Sequence, residues 1–150
     1  LSSLLELFWR KKMINKNKAF LFIFTLFSYS LSFGGHHNEP SIELSGIEDN
    51  KTYSSPVQLN FVVKNIKVQK AGINEVNSGH HHLLLDVKEL PDFKISLPMT
   101  KNIIHFGKGQ TSTLLELAPG MHTIQLLFAD YSHTPHKIPL ITERITFYIK

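Results

Sequence analysis

The stretch Val57-Gln58-Leu59-Asn60-Phe61-Val62-Val63-Lys64 decides the fold class. Val57, Leu59, Phe61 and Val63 alternate with Gln58, Asn60 and Lys64, and only Val62 interrupts the rule. A period of two puts one row of side chains against a core and the other in water, because successive Cβ atoms of an extended chain point to opposite faces. Working outward, Ser41–Ser45 is a short strand stopped by Gly46 and the turn-rich Glu48-Asp49-Asn50-Lys51. Residues 68–78 are polar, broken by Gly72, and read as a loop. Residues 80–90 read as a strand closed by Leu90-Pro91-Asp92. Short strands at 103–106 and 113–117 flank Gly107-Lys108-Gly109-Gln110, which reads as a hairpin turn using glycine for positive φ. Ala118-Pro119-Gly120-Met121 is a turn, 122–129 a strand, and 130–139 a loop carrying Pro135 and Pro139. Ile145, Phe147 and Ile149 alternate in a last strand. About seven short strands without a 3.6-residue period predict a single immunoglobulin-like antiparallel β-sandwich over 40–150.

The N-terminus follows another pattern. Arg10, Lys11, Lys12, Lys16 and Lys18 precede the apolar run AFLFIFTLFSYSLSF at 19–33, the arrangement of a secretory signal peptide. The expected natural start is Met13 and the expected cut follows Ser32, so that 1–32 comprise upstream residues and signal, and 33–39 a flexible mature N-terminus. The apolar run is short against the roughly 20 residues of a spanning helix, which argues against a retained membrane anchor. The whole chain of 150 residues carries 16 basic and 12 acidic side chains. Residues 1–32 hold five of the bases and one acid, leaving eleven of each and a neutral mature domain. A nucleic-acid partner, which needs uncompensated Lys and Arg to displace phosphate counterions, is disfavoured. The absence of cysteine excludes disulfides, thiolate metal sites, a cysteine nucleophile and a lipidated N-terminal cysteine. The expected location is the periplasm or the cell exterior.

All nine histidines lie beyond the expected cut, and strand parity sorts the three in Ser78-Gly79-His80-His81-His82. His81 shares a face with Leu83, Leu85 and Val87, and is expected to be a hydrogen-bonded core or strand-end residue. His80 and His82 share the other face with Leu84 and Asp86, about 7 Å apart at the α-carbons, close enough to share one ion. His105 lies between Ile104 and Phe106, which point the other way, so it too can aim at a site. His133 and His136 are three apart in the proline-bearing loop, a spacing found among metal ligands. His122 lies on the face of Ile124, Leu126 and Phe128, where a buried, satisfied histidine is expected.

The candidate metal ligands are thus His80, His82, His105, His133 and His136. Asp86, Asp130, Tyr131, His81 and His122 are supporting or structural candidates. A thiolate-free set of nitrogens and oxygens suits Zn²⁺, Cu²⁺ or Ni²⁺, with Zn²⁺ or Cu²⁺ the expected ion. Binding, storage or sensing is expected rather than turnover. The alternative is a cell-envelope interaction module contacting protein or glycan, in which the histidines and Tyr131 form a structural hydrogen-bonded network. A metal-dependent hydrolase would need an open coordination position and a general base, and the sequence names neither.

Three weaker signals are set aside. Gly107–Thr111 lacks the following helix of a phosphate loop. Ser78 with His80 and Asp86 lacks a nucleophile elbow. A Gly34-Gly35-His36 copper-binding terminus would need a cut after the bulky Phe33.

Taken together, Ser78–Asp86, His105–Thr111, Leu117–Leu126 and Asp130…His133…Pro135-His136 resemble the bacterial exported family known as domain of unknown function 4399, over roughly 40–150. In that family the last loop more often reads Asp-His/Gly-Asn-His-x-Pro-His. Tyr131-Ser132 replaces its middle here and leaves His133 and His136 in register. The resemblance implies export and one compact domain, and it supplies no established activity.

Overall fold

A computed structural model describes residues 38–150. The expected signal peptide, its cleavage point and His36-His37 lie outside the described residues. Ten strands follow in chain order: β1 Ser41–Ser45, β2 Thr52–Tyr53, β3 Val57–Lys64, β4 Lys67–Val68, β5 Ser78–Leu85, β6 Ile103–His105, β7 Ser112–Leu115, β8 Gly120–Ala129, β9 Pro135–Ile141 and β10 Ile145–Ile149. One sheet runs β1-β3-β7; the other runs β2-β10-β8-β5-β4, with β6 on β5 and β9 on β8. The fold is an all-β sandwich. Two of its pairings, β2 with β10 and β4 with β5, are parallel, so the sandwich is mixed rather than purely antiparallel.

The main core is what alternation requires. Val57, Leu59 and Phe61 of β3 and Leu44 of β1 meet Leu83, Ile124, Leu126, Phe147 and Ile149 from the opposite sheet. Burying side chains of this size stabilises by about 1.5–3 kcal/mol each. Strand β5 is buried along both faces. Its inward face joins the sandwich core through Leu83. Its outward face is covered by a second apolar cluster of Leu84, Leu97, Ile103, Leu127 and Ala129, with Val87 and Phe93 against it. Four of these seven, Ile103 included, come from residues 87–103, which fold over the outer face of the sheet. That cover makes the His80/His82 face an interior one.

Several boundaries depart from expectation. β5 ends at Leu85 because Asp86 takes positive φ (53°), which an aspartate tolerates and a strand does not. The 130–139 stretch is not all loop: β9 pairs Leu127 with Ile141, Phe128 with Leu140 and Ala129 with Pro135 across a bulge. Its prolines fall where missing amide donors cost little, Pro135 at the first strand position and Pro139 inside the bulge. Gly107–Gln110 does turn, with Gly109 at φ 79°. However, β6 and β7 belong to different sheets, so the turn is a crossover and not a hairpin.

Candidate metal centre

The site begins with strand pairing. β5 and β6 set His82 directly opposite His105. Side chains directly opposite in an antiparallel pair have Cβ atoms about 4.5–5.5 Å apart. His80, two residues from His82, stands on the same face, and its ring centroid lies 4.7 Å from that of His82 and 4.9 Å from that of His105. Gly79 precedes it, where any Cβ would collide with the Ala129 carbonyl, so the chain approaches β8 closely only because that residue is glycine.

His133 arrives from the β8–β9 turn. Asp130 builds that turn: its Oδ1 accepts the Ser132 amide (2.8 Å), the Ser132 hydroxyl (2.7 Å) and the Thr134 amide (2.9 Å). The His133 amide donates to the Asp130 carbonyl at 3.0 Å, and His133 itself sits at φ 67°. The Leu97 amide donates to the His133 carbonyl at 2.9 Å, tying the turn to the covering segment. The result puts the His133 ring 5.0 Å from that of His80 and 4.7 Å from that of His105, with 3.2 Å between the two Nε2 atoms of His105 and His133.

One ligand atom from each of His80, His82, His105 and His133 lies within 4.8 Å of the others. Four nitrogens held about 2.0–2.1 Å from Zn²⁺ are about 3.3 Å from one another. The His105–His133 pair, at 3.2 Å, meets that spacing already. These four side chains could hold a metal ion. The chemistry of the donors agrees. His80 and His82 are 0% and 2% exposed, and neither ring nitrogen of either has a hydrogen-bond partner among the described residues. Each buried unsatisfied polar atom costs about 1–3 kcal/mol. An ion would give each of these rings one partner.

The electrostatics keep the rings neutral, as metal ligation requires. Burial, then repulsion from His105 and His133, pushes His80 down to about 4. Burial, then its imidazole neighbours, pushes His82 down to about 3. His105 is lowered by burial and by His133. For Asp130, burial disfavours the charge, but the Ser132 and Thr134 hydrogen bonds outweigh it and hold the carboxyl below its usual range.

The other candidates stand elsewhere. His136 is not part of the cluster. Its ring stacks on Phe128 at 5.9 Å and 18°, because the β9 bulge turns it away from His133. His81 faces the sandwich core, packs on Phe61 and Phe128, and bonds through Nδ1 to the Gln110 carbonyl at 3.0 Å. Asp86 does not reach the cluster: Oδ2 pairs with His122 Nδ1 (2.9 Å) and Oδ1 accepts the Thr123 amide (2.8 Å). His122 completes its bonding at the Ala118 carbonyl. Although burial opposes its charge, the Ala118 carbonyl and Asp86 raise its pKa. Tyr131 is 40% exposed, and its backbone carbonyl accepts from the Gly72 amide.

Asp130 gives a direct prediction. Asp130→Ala removes three bonds to a carboxylate and should cost about 1–2 kcal/mol of stability. It should also weaken metal uptake about tenfold, as loss of a ligand's support does. Urea unfolding and metal titration of the same preparation check both. Unchanged metal affinity would mean that the turn does not hold His133 in place.

Fold and site together define a class: an all-β sandwich with a four-histidine cluster, two of its members buried, on the outer face of one sheet. The chain belongs to the family described as Domain of unknown function (DUF4399), whose model matches residues 59–150. That match starts within β3 and takes in all four clustered histidines. No curated protein matches the chain. No solved structure matches it either.

Proposed function

We propose that this is an exported protein of the periplasm or cell exterior that binds one divalent transition ion, Zn²⁺ or Cu²⁺, through His80, His82, His105 and His133. The role is binding, storage or sensing. The observation that carries the reading is the convergence of four imidazoles, ligand atoms within 4.8 Å, two of which, His80 and His82, have ring nitrogens with no hydrogen-bond partner among the described residues. Four neutral nitrogen donors suit ions of intermediate softness over Mg²⁺ or Ca²⁺, which prefer oxygen. Export rests on the basic and apolar N-terminal pattern.

Calorimetric titration of untagged, EDTA-treated protein tests it. One ion per chain should bind, and His80→Ala/His82→Ala should lose at least about 100-fold in affinity, since two of four ligands are gone. Millimolar, sub-stoichiometric uptake that the double substitution leaves unchanged would refute the assignment.

A second reading, an envelope interaction module with a structural histidine network, draws on the His105–His133 hydrogen bond. It places the value of His80 and His82 in stability without metal, which separates it from the first.

A further inference from the structure

We propose that the bound ion takes an additional exogenous ligand, a small organic carboxylate with an apolar body, seated in the cavity beside the cluster. This rests on the metal reading above and concerns what completes that site.

Charge is the first argument. The ligand set is four histidines with no carboxylate. Four neutral imidazoles leave the +2 of the ion without a negative ligand, beside His80 and His82 that are shut from water and His105 and His133 that are more open. An unpaired charge that is even partly buried is costly, and structures normally pair it. Asp86 is taken up by His122 and Thr123. Asp130 Oδ1 is held by its own turn; its charge favours a cation at His80, but the carboxylate is not among the clustered ligands. Among the described residues one non-ligating carboxylate offsets the +2 only in part, which leaves a place for an anion from outside.

Shape is the second. A cavity of about 560 Å³ adjoins the cluster, and His82, His105 and His133 line it while His80 does not. An ion held by all four would therefore have His80 behind it and a three-histidine face toward the cavity. A four-coordinate ion can expand to five through such a face. The remaining lining includes Leu97, Pro98 and Ile103, which suit an apolar body, and Lys101, a second cation attractive to a carboxylate. The volume lies within the usual range for small-molecule sites, roughly 300–1,000 Å³.

The test uses the full mature chain loaded with Co²⁺, whose visible absorption is strong when four-coordinate and several-fold weaker when five-coordinate. Benzoate is the probe and benzamide its neutral counterpart. Benzoate should lower the absorption several-fold and saturate at one per chain. Benzamide should leave it unchanged, and metal-free protein should bind benzoate at least about tenfold more weakly, as loss of a directly ligated ion implies. Lys101→Gln should weaken benzoate several-fold while Co²⁺ affinity stays as in wild type. A Co²⁺-loaded protein whose spectrum is unmoved by millimolar benzoate, or moved equally by benzamide, overturns this inference alone. Failure to take up Co²⁺ overturns the metal reading and this inference with it.

Discussion

Replacing His82 with leucine should make the metal-free protein more stable and the metal-treated protein no more stable still. His82 is 2% exposed, and both its ring nitrogens lack a hydrogen-bond partner among the described residues. Leucine is of similar volume, sits among Leu84, Leu127 and Ile103, and brings no polar atom to desolvate. Removing unsatisfied buried groups should gain about 1–3 kcal/mol, a rise of roughly 4–15 °C in Tm for a domain of this size. Wild type should instead gain about 2.7 kcal/mol when free Zn²⁺ reaches about 100 times Kd. His82→Leu should lose that response entirely. A structural network predicts the reverse: the substitution would cost several kcal/mol without metal, and Zn²⁺ would do nothing. Thermal melts with EDTA and with Zn²⁺ decide between the two, and a destabilised, Zn²⁺-indifferent pair of proteins would end the metal reading.

The second large effect is acid sensitivity of the metal-free protein. Burial pushes His80 and His81 from the ordinary 6.5 down to about 4, and His82 to about 3. These folded-state values are depressed, so the unfolded chain binds more protons than the folded one as pH falls below 6.5. Stability therefore declines from there, and the decline eases only as the folded rings themselves protonate. These three protons alone give a slope approaching about 4 kcal/mol per pH unit, and His105 and His136, whose pKa values burial also lowers, add to it in the same sense. Against a total of about 5–15 kcal/mol, unfolding is expected near pH 5 or somewhat below. His122 works in the opposite sense. Its raised pKa adds stability that is complete below 6.5 and fades as pH rises through its folded value. Asp130, held low, loses its contribution only under stronger acid, below this window. Urea unfolding midpoints measured in EDTA from neutral pH downward check the slope. A flat profile to about pH 5 would mean that the three rings are not buried neutral.

Much of this was legible in the chain because alternation is a local property. β1, β3 and β10 begin and end where the period of two begins and ends. The same parity divides the histidine run: His81 packs on Phe61 inside the sandwich, and His80 and His82 share the outer face with Leu84. His105 could be placed on a site-facing position for the same reason. β9 was not legible, since prolines argue locally against a strand and only the bulge against β8 accommodates them. β2 and β4, two residues each, carry too few side chains for any period to show.

The loop histidines mark the limit most clearly. His133 and His136 look equivalent in sequence, three apart in one proline-bearing stretch. Their separation depends on the Asp130 turn, which sets His133 at positive φ, and on the β9 bulge, which lays His136 on Phe128. Asp86 likewise shares a parity with His80 and His82, but positive φ breaks the strand there and hands the carboxylate to His122. The sequence alone therefore determined a cysteine-free β-sandwich and which of the three consecutive histidines share a face, because both follow from the geometry of an extended chain. Only the tertiary structure decided that the outer face of the sheet is roofed by residues 87–103, that His133 joins it and that no carboxylate does, because long-range packing and turn geometry set those contacts.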